Sequence, residues 1–150
     1  MLNNIYSQQI LELAANIPRQ GRLESPDASA KAHSKLCGST IIVDLKMEEG
    51  KVVDFAHDVK ACALSQAASS IMARNIIGST GPELRRLRDQ VRAMLKENGP
   101  PPEGKWADIA LLEPVREFKA RHTSTMLTFE ATVDALNQIE AAQGRSTAAE

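Results

Sequence analysis

The chain has 150 residues, 43% of them hydrophobic, enough to bury one core without staples. Its 18 Lys and Arg against 19 Asp and Glu leave a formal net charge of -1, so no overall basic field holds a nucleic-acid backbone, and nucleic acid is not an expected partner. No apolar run reaches the length of about 18 residues that spans a bilayer, and Met1-Leu2-Asn3-Asn4-Ile5-Tyr6-Ser7 lacks a charged segment followed by an apolar one, so a soluble cytoplasmic domain without membrane contact is expected over 1–150.

Ile10, Leu13, Ala14 and Ile17 recur at helical spacing and predict a helix over about 3–16, which Pro18 helps to end. From Ile17 to Leu36 the chain reads as a long connection rich in Pro, Gly, Ser, Asp and Lys, without sustained periodicity. Residues 40–47 and 52–59 alternate apolar and other side chains around Glu48-Glu49-Gly50-Lys51, which predicts a β-hairpin. Ala63 to Ile77 reads as a helix with a small-residue face, carrying Leu64, Ala67, Ala68 and Ile71 until Asn75 interrupts the stripe and Gly78 stops it. Thr80 and Glu83 make a capping box for a helix striped with Leu84, Leu87, Val91, Met94 and Leu95, closed by Gly99-Pro100-Pro101-Pro102. A short helix is expected within Trp106 to Glu117, with Trp106 as a packing anchor, and a longer one over Ser124 to Ala142. The polar end, about 143–150, is expected to fray. Together these predict one α+β domain: a small antiparallel β-sheet built around the hairpin, with helices packed on one face.

Two cysteines stand at mirror-image positions about the hairpin turn. With Glu49-Gly50 as a two-residue turn, facing positions sum to 99, which sets Cys37 opposite Cys62 at the open end. Opposed residues lie about 4.5–5.5 Å apart at Cα, close enough to share a metal ion or form a disulfide. In a reducing compartment such a pair more often serves metal or sulfur chemistry; the plain alternative is two buried thiols packed as small apolar groups. Cys62 falls where the second strand meets the Ala63 helix, an address that favours a thiolate, and Gly38 permits close backbone approach beside Cys37. Two thiolates do not complete a tetrahedral site, so further side chains, water or a partner must supply donors.

Leu36-Cys37-Gly38-Ser39, the hairpin, and Ala61-Cys62-Ala63-Leu64-Ser65 with Ala68-Ser69-Ser70 resemble the IscU/NifU/SufU family of iron–sulfur cluster assembly scaffolds. Tyr6-Ser7-Gln8-Gln9-Ile10-Leu11 and Pro18-Arg19 are similar to that family's opening segment. Val115 to Ser124 and the long Arg-rich stretch before it resemble the SufU-like branch. The resemblance implies a SufE/NifU-like two-layer fold. It also implies three cysteines and an Asp that hold zinc or a nascent cluster and accept sulfur from a cysteine desulfurase. This chain departs from the pattern: Ser39 stands at the Asp position, Ala61 replaces a Gly, and Ser124 stands at the third cysteine. A serine hydroxyl is a poor ligand and cannot carry persulfide sulfur.

The resemblance implies Cys37 and Cys62 as sulfur acceptors and as ligands of an iron–sulfur cluster or zinc, with Ser39, Ser124 and His122 as accessory donors. His122 lies one residue off the family's His-Cys spacing when Ser124 is set on the cysteine. His57, on a strand face with Val53, Phe55 and Val59, reads as a core histidine, and His33 as a loop histidine four residues before Cys37. Arg85, Arg88, Arg92 and Lys96, with Arg86, form either a solvated helix face or a docking strip for an acidic partner. The expected function is a scaffold or sulfur acceptor in iron–sulfur cluster assembly, with a cysteine desulfurase and cluster-acceptor proteins as partners. The alternative is a degenerate zinc-binding or metal-free interaction protein on the same fold. No nucleotide loop, His-Glu-x-x-His helix or nucleophile elbow occurs, so independent catalysis beyond sulfur acceptance is not expected.

Overall fold

The computed structural model describes residues 6–149, with side chains described to residue 143. Helix α1 (Gln8–Ala15) leads into strands β1 (Ala28–His33), β2 (Thr40–Glu48) and β3 (Lys51–Lys60). Helices α2 (Ala63–Asn75) and α3 (Gly81–Lys96) follow, then 3-10 turns over Gly104–Glu117 and Lys119–Arg121, and helix α4 (His122–Ala149). The strands form one antiparallel sheet in the order β1-β2-β3. Residues 3–5 of the expected first helix lie outside the described residues, as do the side chains of most of the expected polar tail.

The face bearing Ile41, Val43 and Leu45 of β2, Phe55 of β3 and Ala28 and Ala30 of β1 is buried under the helices, so the two-layer α+β arrangement is present. Burying such residues contributes about 1.5–3 kcal/mol for each large side chain. In α3, Thr80 Oγ1 accepts from Glu83 N at 3.3 Å, one half of the predicted capping box. The Glu83 carboxylate instead accepts from Trp106 Nε1 at 2.9 Å and pairs with Lys105 at 3.0 Å, which ties the Trp106 anchor to the helix start.

Four features differ from expectation. The supposed long loop contains β1: Ala28, Ala30 and Ala32 alternate with Ser29, Lys31 and His33, a period-two pattern muted because alanine is a weak strand former. Second, the 99-sum register holds only for Glu48↔Lys51 and Met47↔Val52; an irregularity between Lys46 and Met47 then shifts the pairs to a sum of 100, from Lys46↔Asp54 to Thr40↔Lys60. That extra residue turns Val53 outward, 41% exposed, while Phe55 and His57 stay inside. Third, Gly104–Glu117 is 3-10 rather than α-helical, and its buried Trp106, Ile109, Leu112 and Val115 recur every three residues, the period at which a 3-10 helix stacks side chains. Finally, α4 begins at His122, two residues before the expected start.

The segment before β1 straps the sheet. Its backbone pairs along the free edge of β3, with His57 N donating to Arg19 O and Gly21 N to His57 O at 2.9 Å. It then crosses the sheet's other face, where buried Asp44 accepts from Arg22 (2.7 and 3.1 Å), Leu23 N (3.0 Å) and Ser29 Oγ (2.5 Å). Burial would push the Asp44 carboxyl up, but these donors outweigh it and hold the group below its usual range.

Candidate cysteine site

Both cysteines sit at one end of the sheet, on the loops that leave β1 and β3. The β1–β2 connection is a tight loop closed by Ser34 N donating to Ser39 O at 2.9 Å and Gly38 N to Ser34 O at 2.8 Å. Gly38 adopts φ +71°, a left-handed conformation that a side chain would strain. The loop lifts Cys37 into solvent beside Leu36, which is 78% exposed. Cys62 is the N-cap residue of α2, half-buried, with its carbonyl accepting from Gln66 N at 2.8 Å. Both thiols are free.

Ser39 joins them. Its hydroxyl is buried at 1% exposure, accepts from Cys62 N at 3.1 Å, and lies 2.9 Å from Cys37 Sγ. With its oxygen accepting from the Cys62 N–H, the hydroxyl proton is free to point at Cys37, so the serine donates to a thiolate there. Partial burial pushes the Cys37 thiol up, but hydrogen bonds from the Ser34 and Ser39 hydroxyls, the Ser39 backbone and the Cys62 thiol prevail and lower it from 9.0 to about 7. The shift favours the thiolate of Cys37 near neutral pH, in an exposed position suited to nucleophilic attack. The shifted register does not separate the cysteines, because the loops beyond Thr40 and Lys60 set their approach through Ser39.

The other residues singled out in the sequence lie as follows. His122 is buried, its Nε2 shared between the carbonyls of Val115 and Arg116 at 3.2 Å each, where it closes the turn into α4. Ser124 is 1% exposed and donates to Arg121 O at 3.2 Å. His33 ends β1, exposed, with Nδ1 3.1 Å from Thr40 Oγ1. His57 is fully buried in the core; burial lowers its pKa, and Nε2 meets Pro18 O at 2.8 Å. Among the described residues no group of three or more His, Cys, Asp or Glu stands close enough to hold a metal ion. The site is a two-thiol pair bridged by a serine. Sequence reasoning missed Ser34, which assists Cys37 from the far side of its loop; its signal was the pair of serines flanking Lys35-Leu36-Cys37-Gly38.

The basic strip of α3 is largely spoken for. Arg85 pairs with Glu140, and Arg88 and Arg92 pair with Glu130, all across to α4. These pairs bridge α3 and α4 on a partly exposed surface, and Arg86 and Lys96 of the same strip have no ion pair among the described residues. No helix among the described residues is long and apolar enough to cross a membrane.

The chain is thus a small α+β domain with two free cysteines at the end of its sheet, both bonded to Ser39. The family model of the NifU-like N-terminal domain matches residues 5–125, and the chain belongs to that family. It is 60% identical to the N-terminal part of a nitrogen-fixing NifU-like protein from Brucella abortus, covering 93% of this chain and 97% of that one at a TM-score of 0.92. It is 29% identical to the iron–sulfur cluster assembly scaffold protein IscU of Thermotoga maritima, over 90% of this chain and 94% of that one. A SufU protein of Fervidobacterium islandicum shares the fold at a TM-score of 0.82 and 22% identity, over 89% of this chain and 98% of that one.

Proposed function

We propose that this protein is an iron–sulfur cluster assembly component in which Cys37 accepts sulfur and Cys37 and Cys62 together hold the nascent cluster. The observation that carries the reading is the Ser39 hydroxyl set between Cys62 N and Cys37 Sγ, which couples the two thiols and favours the thiolate of the exposed one. The Cys37 thiolate attacks the terminal sulfur of a cysteine desulfurase persulfide. A new S–S bond forms on Cys37, the donor's S–S bond breaks, and the donor cysteine leaves as a thiolate, with no net change in oxidation state. The sulfur then stands beside Cys62, ready to enter a cluster held by both thiols.

The chemistry of the donor set fits a cluster only in part. Two thiolates supply half of the donors that a tetrahedral iron centre wants, and His122 and Ser124 are bonded to backbone carbonyls at the start of α4. The remaining donors come from water, sulfide or a partner, so the cluster is transient and is passed to an acceptor protein. The direct test is iron and acid-labile sulfide in protein purified and reconstituted anaerobically with iron, cysteine and a desulfurase, compared with Cys37→Ala and Cys62→Ala. Iron with sulfide that disappears in either variant supports the reading; zinc without sulfide points to a metal-holding module, and no metal at all to an interaction protein on this fold.

A further inference from the structure

With Arg85, Arg88 and Arg92 paired to α4, Lys96 at the end of the same strip is left without an acidic partner among the described residues. A groove of about 390 Å³ opens between the end of β1, the last turns of α3 and the first turns of α4. Its floor is apolar, made by Met126 and Leu127, and its rim carries His33, Lys96 and the exposed Thr123. A second depression of about 380 Å³ shares Lys96 and His122 with it and adds Lys119, Arg116 and Glu117. Lys96, Lys119 and the adjoining Arg121 have no acidic partner among the described residues, whereas Arg92 at the groove's edge is held by Glu130 and Arg116 by Glu113. The ammonium groups of Lys96 and Lys119 thus stand free beside one apolar slot.

We propose that this groove docks an acidic segment of the sulfur-donor protein, one that seats a large apolar side chain on Met126 and Leu127 while its carboxylates meet Lys96 and Lys119. The role rests on the sulfur-acceptor function proposed above and names the surface by which the donor is held. Position supports it. His33, on the groove rim, is the last residue of β1 and opens directly into the Ser34–Ser39 loop that carries Cys37 and the protruding Leu36. A partner seated in the groove therefore has the thiolate within a few residues of its anchor. Charge complementarity selects an acidic occupant and speeds its encounter, and the apolar floor gives it residence. Nucleic acid would find phosphate contacts on the rim but nothing to cover the floor.

The test uses the full chain and a short fluorescein-labelled peptide in which Glu residues flank a single Phe, read by fluorescence anisotropy. The parent should bind it, more weakly as salt rises, and should not bind the same peptide with Gln in place of Glu. Lys96→Glu combined with Lys119→Glu should weaken binding by about tenfold or more, and Thr123→Trp, which fills the slot without changing charge, should do likewise. Arg86→Glu, a single charge reversal on the exposed side of α3, should leave it intact. No binding to the parent, equal weakening by Arg86→Glu, or equal displacement by an oligothymidylate would overturn the docking proposal. A chain with Cys37→Ala and Cys62→Ala should bind the peptide normally, so failure of the thiol chemistry and failure of the groove are read separately.

Discussion

Ser39 and Ser124 stand at two of the three positions where this chain departs from the pattern that its family resemblance implies, and the structure employs them in opposite ways. Ser39 is inserted between the cysteines, accepting from Cys62 N and facing Cys37 Sγ at 2.9 Å. Ser124 turns back on its own helix start and bonds Arg121 O at 3.2 Å. Both are buried, yet one bonds both cysteines while the other shares the Arg121 carbonyl with Thr125 Oγ1 at the start of α4. The contrast teaches that two equally buried serines can serve different ends: Ser39 bonds both cysteines, while Ser124 bonds only the backbone at the start of α4.

The largest expected effect comes from breaking the pair itself. Cys62→Ala should abolish iron retention after anaerobic reconstitution while leaving Cys37 free to react, seen as colourless protein that still takes up one alkyl group. Next is Ser39→Ala, which removes a donor to the Cys37 thiolate. The pH midpoint for alkylation of Cys37 should rise from about 7 by roughly one unit toward the ordinary thiol value, and reaction at neutral pH should slow several-fold. An unchanged midpoint would remove Ser39 from its role. Ser124→Cys sharpens the comparison from the other side. Because this side chain is buried against Arg121 O, the account expects iron per chain to stay at the parent level; a clear gain would show that the helix start opens to form a third ligand position.

A smaller effect lies away from both serines. Burial holds His57 below its usual range, so it stays neutral in the fold while the unfolded chain takes up a proton below 6.5. Folding stability should therefore fall as pH drops through and below 6.5, and His57→Gln should flatten that limb in urea titrations recorded across the range. Stability rising on acidification would contradict the buried neutral imidazole.

Much of this was legible in the chain. The β2–β3 hairpin and the Ala63 and Thr80 helices follow from strong patterns, alternation and capping, whereas the cysteines meet through the Ser39 loop and not through the 99-sum register that placed them opposite each other. What stayed hidden had weak or misleading signals. Alanines at 28, 30 and 32 carry too little hydrophobic contrast to announce a strand, and a register irregularity at Met47 leaves no residue type that marks it. Trp106, Ile109, Leu112 and Val115 repeat every three residues, a period easily taken for a loose α-helical stripe. The arginines of α3 looked free because their acids, Glu130 and Glu140, lie more than thirty residues on and meet them only through packing of α3 on α4. At the site, Ser39 read as a poor accessory donor in the place of an Asp, and only the folded loop shows its bonds to both cysteines.

The central claim is that Cys37 is the sulfur-accepting thiolate of a serine-bridged pair. The most direct measurement is the intact mass of the chain after incubation with a cysteine desulfurase and cysteine without iron, followed by peptide mapping of the added sulfur. The account predicts the mass of one extra sulfur atom on the parent and on Cys62→Ala, located at Cys37, and none on Cys37→Ala. Sulfur found on Cys62, or retained when Cys37 is replaced, would contradict it.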